Sequence, residues 1–312
     1  MTDVEDLLTF LRGAPSPYHA VASVADRLTA AGFTEVGLDQ PWEGGGARFV
    51  TRDGALVAWT TAGQDPSTPF RIVGAHTDSP NLRLKPNPDS GTAGWRQLGV
   101  EVYGGALWNS WLDRDLGLSG RVVVRGLDGF RTELLLVDRP LARIPPLAIN
   151  LARDVNGQCL KPNPQVHLTP VWGLGPWAEG DLAGFLAREL SVDVADVVAW
   201  DLMFHDITPP TRLGRDQELV ASARLDNLLS CWAGTVALGS VARTRSILPS
   251  TPVLCLFDHE EVGSTSATGA DGALLAQVLE RVVLARGGDR QDLLRALSGS
   301  VCASVDMAHA TP

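Results

Sequence analysis

Apolar positions recur with a helical period in the first part of the chain. Thr2 and Glu5 have the spacing of a capping box before an apolar stripe. Ser16 followed by Pro17 is typical of a helix start, and Gly32 is typical of a helix stop. The pattern therefore predicts two consecutive amphipathic helices before residue 32.

Short apolar runs bounded by turns predict strands after these helices. ARFVTRD and ALVAWTTA flank Asp53-Gly54, a dipeptide typical of a tight hairpin. FRIVGA then indicates a buried strand that leads into the polar residues HTDS. The same order returns near the other end of the chain, where PVLCLF precedes DHEE and SVCAS precedes VDMAH. Because helical patterns alternate with these strands, we predict an α/β fold with a mostly parallel sheet flanked by helices.

The middle of the chain has a different texture. Its strands are short and alternating, its turns are dense, and only residues 181–190 have a clear helical pattern. We therefore predict a β-rich domain at 91–216, inserted between a first part at 1–90 and a second part at 217–312.

Composition and charge narrow the class of protein. Hydrophobic residues make up 45% and charged residues 20%, which is typical of a globular protein. The net charge is −10 and no Lys/Arg-rich run is present, which argues against a nucleic-acid partner. The chain also lacks an apolar run of about 18 residues and a signal-peptide pattern. We therefore expect a soluble cytoplasmic protein with no membrane partner.

The cysteines point neither to a disulfide framework nor to a thiolate zinc site. They are scattered and form no CxxC pair: Cys159, Cys231, Cys255 and Cys302. A metal site in this chain would have to use other ligands.

Candidate ligands stand where the predicted strands end. His76 follows the first buried strand, Glu261 the second and Asp306 the third, while Asp226 opens a long helix. Carboxyl ends of parallel strands meet at one edge of a sheet, where α/β proteins bind ligands. One imidazole and three carboxylates suit zinc, cobalt or manganese. Each residue taken singly also fits a helix cap, a turn or a satisfied polar residue.

Two further carboxylates have candidate roles beside the metal. Glu260 precedes Glu261, and adjacent residues of a turning backbone point in different directions. Glu261 can therefore bind metal while Glu260 accepts a proton from an activated water. Asp78 lies two residues after His76 and is placed to orient the imidazole ring. A charged helix start is the plainer interpretation of the pair of glutamates.

At these motifs the chain resembles the aspartyl aminopeptidases, a family of dinuclear zinc metallopeptidases. The resemblance is carried by segments that follow the family's order from the N-terminal helices to the last residue. They are GAHTDSPNLRLKP, YGGALWNSWLDRDLGLSGRV, RIPPLAINLARDVN, ASARLDNLLS, FDHEEVGSTSATGA and SVDMAHA.

The resemblance implies an activity, a ligand set and an assembly. The activity is removal of N-terminal, classically acidic, residues from peptides. His76 and Asp306 would bind one zinc, Asp226 would bridge two, Glu261 would bind the second, and Glu260 would be the general base. The inserted domain would mediate dimerisation within a large tetrahedral homo-oligomer, a dodecamer.

Two departures from the family pattern leave alternatives open. The family's second histidine ligand lies downstream of DMAHA, so we expect the 312 residues to be a C-terminally incomplete chain. Asn150 stands where the family pattern has a histidine that reaches a neighbouring subunit's active site. An oligomeric scaffold without catalysis and a metal-dependent small-molecule amidohydrolase are the rival functions.

Overall fold

The computed structural model describes residues 2–61, 65–158, 160–244 and 247–308. Cys159 lies outside these ranges, and so does His309, which belongs to the DMAHA motif. The chain divides into two compact units, one formed by residues 1–79 with 210–312 and the other by residues 80–209.

The first unit contains both helices and strands, and strands dominate the second. The helices are α1 Asp3–Gly13, α2 Pro17–Ala30, α3 Val155–Gln158, α4 Pro164–His167, α5 Asp181–Leu190, α6 Leu225–Ala242, α7 Leu274–Leu284 and α8 Arg290–Ser298. The strands are β1 Thr34–Glu35, β2 Gly46–Arg52, β3 Ala55–Thr61, β4 Phe70–His76, β5 Asn81–Thr92, β6 Trp95–Tyr103, β7 Asp115–Gly126, β8 Gly129–Arg143, β9 Val171–Leu174, β10 Val197–Asp206, β11 Thr211–Leu213, β12 Leu219–Ala221, β13 Thr251–Phe257 and β14 Val301–Ser304.

The helix starts follow the predicted caps. The Thr2 hydroxyl accepts from the amide of Glu5 at 3.4 Å. The Ser16 hydroxyl accepts from the amide of His19 at 3.4 Å, with Pro17 in the first turn of α2. These bonds satisfy amide donors that have no partner inside their helices.

The first unit is built on a six-stranded sheet in the order β1-β2-β3-β13-β4-β14. β4 pairs in parallel with both β13 and β14, whereas β3 is antiparallel to β2 and to β13. The sheet is therefore mixed, and its parallel half contains the three strands that carry the polar clusters. That arrangement confirms the predicted α/β class.

Alternate residues of the central strands pack on opposite faces of the sheet. Leu56 and Leu254 contact the layer formed by α1, α2 and α6. Val57 and Val253 contact the layer formed by α7 and α8. Because both faces are covered, the strands are continuously apolar and their polar residues are confined to the ends.

The second unit is a closed six-stranded barrel in the order β10-β5-β6-β9-β8-β7. Its core joins the inward residues of the strands to Leu182 and Leu186 of α5, the helix predicted at 181–190. The unit begins at Pro80 and ends at Pro209, earlier at both ends than the predicted insertion at 91–216. The start of the unit is hard to predict from the sequence because β5 has an irregular register between Leu84 and Asp89. This part of β5 contains prolines and resembles a turn.

No helix in the described ranges is long and apolar enough to cross a membrane.

The hairpin turn between β2 and β3 packs closely against the segment that follows β13. A Cβ added to Gly54 would lie 2.6 Å from Cγ of Asp258, which is fully buried, and 2.9 Å from Cβ of Pro17. Gly54 is therefore required for close approach.

We expect Gly54→Ala to lower the free energy of unfolding by about 1–3 kcal/mol through overpacking. The matched control is Gly105→Ala, whose added Cβ would have no heavy atom within 4 Å, among the described residues. Denaturant unfolding of both variants checks this, and equal midpoints would contradict the close-packing argument.

Candidate metal centre

Three strand ends bring the candidate residues to one edge of the first unit's sheet. His76 is the last residue of β4 and is paired with Phe257, the last residue of β13. Glu260 follows β13, and Asp306 follows β14, whose Ser304 is paired with Gly74. The parallel pairing is the physical reason why residues far apart in sequence meet here.

Asp226 reaches the same place from the start of α6. Its backbone is non-helical, with φ −81° and ψ 109°, and the Asp226–Asn227 peptide is cis. The regular helix begins after Asn227, so the Asp226 side chain belongs to an irregular entry segment.

His76 is the centre of the cluster and is 5% exposed. Its Nε2 lies 3.2 Å from Oδ1 of Asp226, 3.6 Å from Oδ1 of Asp306 and 3.9 Å from Oε2 of Glu260. Ligand atoms of His76, Asp226 and Asp306 all lie within 4.8 Å of one another. Three carboxylates thus converge on one imidazole nitrogen.

The other nitrogen of His76 is held by Asp78. Nδ1 lies 3.0 Å from the backbone carbonyl oxygen of Asp78 and 3.4 Å from its Oδ1. With Nδ1 donating to Asp78, Nε2 is the ring nitrogen that faces the carboxylates and that, once deprotonated, can bind a metal.

The carboxylate of Asp78 has a second task that the sequence did not indicate. It is fully buried and accepts from the amides of Glu260 at 3.2 Å and Glu261 at 3.1 Å. Asp78 therefore links the strand that carries His76 to the turn that carries both glutamates.

The two glutamates lie in a single 3-10 turn, Glu260–Val262, between two left-handed residues, His259 (φ 65°) and Gly263 (φ 97°). Among the described residues Glu261 falls outside the three-residue cluster. Its carboxyl group is nevertheless close enough to His76, Asp78 and Asp226 to be influenced by their charges.

The electrostatics of the cluster favour a cation. Burial opposes a charge on His76, but the hydrogen bond and charge of Asp78, together with the charge of Glu260, raise the pKa of His76 to about 9. Burial, followed by the charge of Asp78, raises the pKa of Glu261 to about 7. Burial and the charge of Asp306 raise the pKa of Asp226. These carboxylates repel one another, and a dication would relieve the repulsion.

Residues beside the candidate ligands brace the cluster. The Ser79 hydroxyl donates to the backbone oxygen of Asp226 at 2.8 Å. The side-chain amide of Asn227 donates to the backbone oxygen of Val305 at 2.7 Å. The buried Cys231 thiol donates to the backbone oxygen of His76 at 3.0 Å. Sequence reasoning missed all three donors. The only available signal was adjacency to a candidate site residue, and it applied to Ser79 beside Asp78 and to Asn227 beside Asp226.

The donor set fits zinc. An imidazole fixed through Nδ1 and two exposed carboxylates beside its Nε2, with no thiolate in the cluster, match the nitrogen and oxygen ligands of catalytic zinc sites. His76, Asp226 and Asp306 would hold the ion.

Comparison with known proteins gives consistent matches. A family model described as aminopeptidase I zinc metalloprotease (M18) matches residues 10–312. A probable M18 family aminopeptidase 2 of Streptomyces coelicolor is 57% identical over 309 residues, which are 98% of this chain and 71% of the relative.

Solved structures agree with these sequence matches. A chain of the cryo-EM structure of the Ape4 and Nbr1 complex has a TM-score of 0.93 at 34% identity, covering 98% of this chain and 63% of that chain. The S. cerevisiae mApe1 dodecamer has a TM-score of 0.85 at 25% identity, covering 99% of this chain and 73% of that chain. The chain thus spans less than two thirds of the first of these structures.

Proposed function

We propose that the metal centre removes N-terminal residues from peptides, because the chain belongs to the aminopeptidase I zinc metalloprotease (M18) family. The observation that carries the proposal is the convergence of Asp226, Asp306 and Glu260 on Nε2 of His76. Carboxylates that can hold a metal, with another carboxylate nearby that can accept a proton, support metal-assisted hydrolysis.

The ligand assignment has two sources. The ligand atoms of His76, Asp226 and Asp306 lie together, so these residues would hold one zinc. The resemblance of the motifs assigns Asp226 and Glu261 to a second, which would give two zinc ions per subunit; cobalt or manganese suits the same donors. Bound zinc supplies Lewis acidity towards the scissile carbonyl and a water of lowered pKa.

The chain's own residues provide the proton transfer. Glu260 lies outside the three-residue cluster, with its side chain 47% exposed. It accepts the proton of the attacking water and delivers it to the leaving amine. Asp78 keeps Glu260 in place by accepting from its backbone amide.

Substrate preference, assembly and location extend the proposal. We propose acidic N-terminal residues as the preferred substrates, following the resemblance of the motifs. Self-association through the β-rich domain, predicted at 91–216, follows the dodecamer formed by the mApe1 neighbour. A cytoplasmic location stays a prediction for cell fractionation to test.

We expect the zinc-loaded protein to hydrolyse aspartyl and glutamyl p-nitroanilides. It should not hydrolyse the same compounds with an acetylated amine. An aminopeptidase must recognise a free amine, so acetylation is the matched control. Chelation should abolish hydrolysis and added zinc should restore it.

Other outcomes identify the rival functions. Cleavage of N-acyl amino acids but not of free-amine substrates would indicate a small-molecule amidohydrolase. An inert protein that still assembles in mass photometry would indicate a scaffold.

A further inference from the structure

His259 connects the buried end of β13 to the two glutamates of the metal centre. Its backbone is left-handed, with φ 65° and ψ 23°. Residues other than glycine adopt this conformation infrequently, although histidine is among those enriched there. The turn at His259 decides the direction in which Glu260 and Glu261 leave the sheet.

The ring of His259 is held between two segments. Its Nδ1 lies 2.8 Å from Oγ of Ser266 and 3.2 Å from Oγ1 of Thr268. Its Nε2 lies 3.6 Å from Oδ2 of the fully buried Asp258. The ring therefore bridges the strand end and the segment that returns after the glutamates.

Backbone bonds close the same loop around the ring. The His259 carbonyl accepts from the amide of Ser264 at 2.8 Å, and Asp258 donates its amide to the carbonyl of Thr268 at 3.0 Å. The Ser266 hydroxyl oxygen also accepts from the amide of Gly269 at 3.0 Å. Ser266 is thus the nearer of the two hydroxyl groups that attach the His259 ring to the folded loop.

Serine, histidine and aspartate also form the triad of serine hydrolases, but this geometry does not suit one. Ser266 faces Nδ1 rather than Nε2, and the contact from Nε2 to Asp258 is longer than a hydrogen bond. The Ser266 oxygen is occupied by the backbone amide of Gly269. The arrangement is that of a brace.

We infer that His259 is a positioning residue, whose ring, bonded to Ser266, fixes the turn that presents Glu260 and Glu261 to the metal centre. Asp78 holds the amides of that turn from one side, and His259 anchors its start. The catalytic part of this inference rests on the proposed function, whereas the structural part does not.

Three variants separate the ring's hydrogen bond from the backbone conformation. His259→Gly keeps the left-handed backbone accessible and removes the ring. His259→Asn also tolerates that backbone, and its side-chain amide can replace Nδ1 as the partner of Ser266. Ser266→Ala keeps the ring and removes its shorter hydrogen bond, leaving Thr268 as the remaining hydroxyl partner of Nδ1. Ser298→Ala, exposed at the end of α8, is the matched serine control.

The first measurement is amide hydrogen exchange of the peptide that contains Glu260 and Glu261, which requires neither metal nor turnover. We expect exchange there to accelerate about tenfold or more in His259→Gly and Ser266→Ala, and to stay near wild type in His259→Asn and Ser298→Ala. Unchanged exchange of the peptides from α8, which belongs to the same compact unit, shows that the unit carrying the turn is folded.

The second measurement is hydrolysis by the zinc-loaded protein. In His259→Gly and Ser266→Ala we expect kcat to fall roughly 10- to 100-fold with little change in KM, because a small misplacement of a catalytic group is costly. His259→Asn should recover most of that loss.

Two results would overturn the inference. One is wild-type exchange at the glutamate turn in His259→Gly; the other is an equal defect in His259→Asn and His259→Gly. If the wild-type protein is inactive but exchange at the glutamate turn changes across the variants as expected, the proposed function is refuted. The inference that His259 positions the turn is then supported.

Discussion

Replacing Glu260 with glutamine should abolish peptide hydrolysis while zinc stays bound. Glutamine keeps the size and shape of the side chain but cannot accept a proton from water. The Glu260 carboxylate lies outside the cluster of His76, Asp226 and Asp306, so its loss leaves those ligands unchanged. We expect kcat to fall by about 10²–10⁴-fold, the usual contribution of a general base.

The matched control is Glu261→Gln, one residue further along the same turn. The backbone amides of Glu260 and Glu261 both donate to the Asp78 carboxylate, so both substitutions should leave the backbone in place. If Glu261 binds zinc and Glu260 is the general base, Glu261→Gln lowers the amount of bound zinc and Glu260→Gln does not. Metal analysis of the purified variants measures this, and turnover retained by Glu260→Gln would refute its role as the base.

The gathering of three of the candidate residues could be predicted from the sequence because it depends on where parallel strands end. HTDS, DHEE and VDMAH each follow an apolar run, and parallel pairing of β4 with β13 and β14 then places His76, Glu260 and Asp306 at one edge. No long-range contact had to be known beyond the direction of the strands.

The bracing of the site could not be predicted in this way. Cys231 donates to the backbone of His76 across 155 positions, and nothing in its own apolar surroundings indicates a polar partner. The start of the barrel was missed for a related reason, since β5 carries prolines whose tolerance in a strand depends on its irregular register. Side chain to backbone bonds and strand register are properties of the assembled fold.

Replacing Asp78 with asparagine should weaken zinc binding and also destabilise the fold. The buried carboxylate accepts from two amides, those of Glu260 and Glu261. Asparagine has one acceptor oxygen, so its NH₂ group must face one of the two amide donors. A buried donor without an acceptor costs about 1–3 kcal/mol, which we expect as the loss in the free energy of unfolding.

Zinc affinity should fall as well, because Asp78 also contacts Nδ1 of His76. The backbone carbonyl of residue 78 still accepts from that nitrogen, so the ring is not released. What is lost is the negative charge 3.4 Å from Nδ1, which increases the basicity of the ligand. We expect about a 10- to 100-fold weaker affinity, typical for the loss of such a partner.

Asp39→Asn is the matched control, since Asp39 is exposed on the same unit. Competition titration with a zinc chelator, together with denaturant unfolding of the metal-free protein, separates the two effects. Asp78→Asn should lose on both measurements and Asp39→Asn on neither. A variant that is destabilised but binds zinc like the wild type would restrict Asp78 to holding the glutamate turn, and the orientation of His76 would then depend on the backbone carbonyl alone.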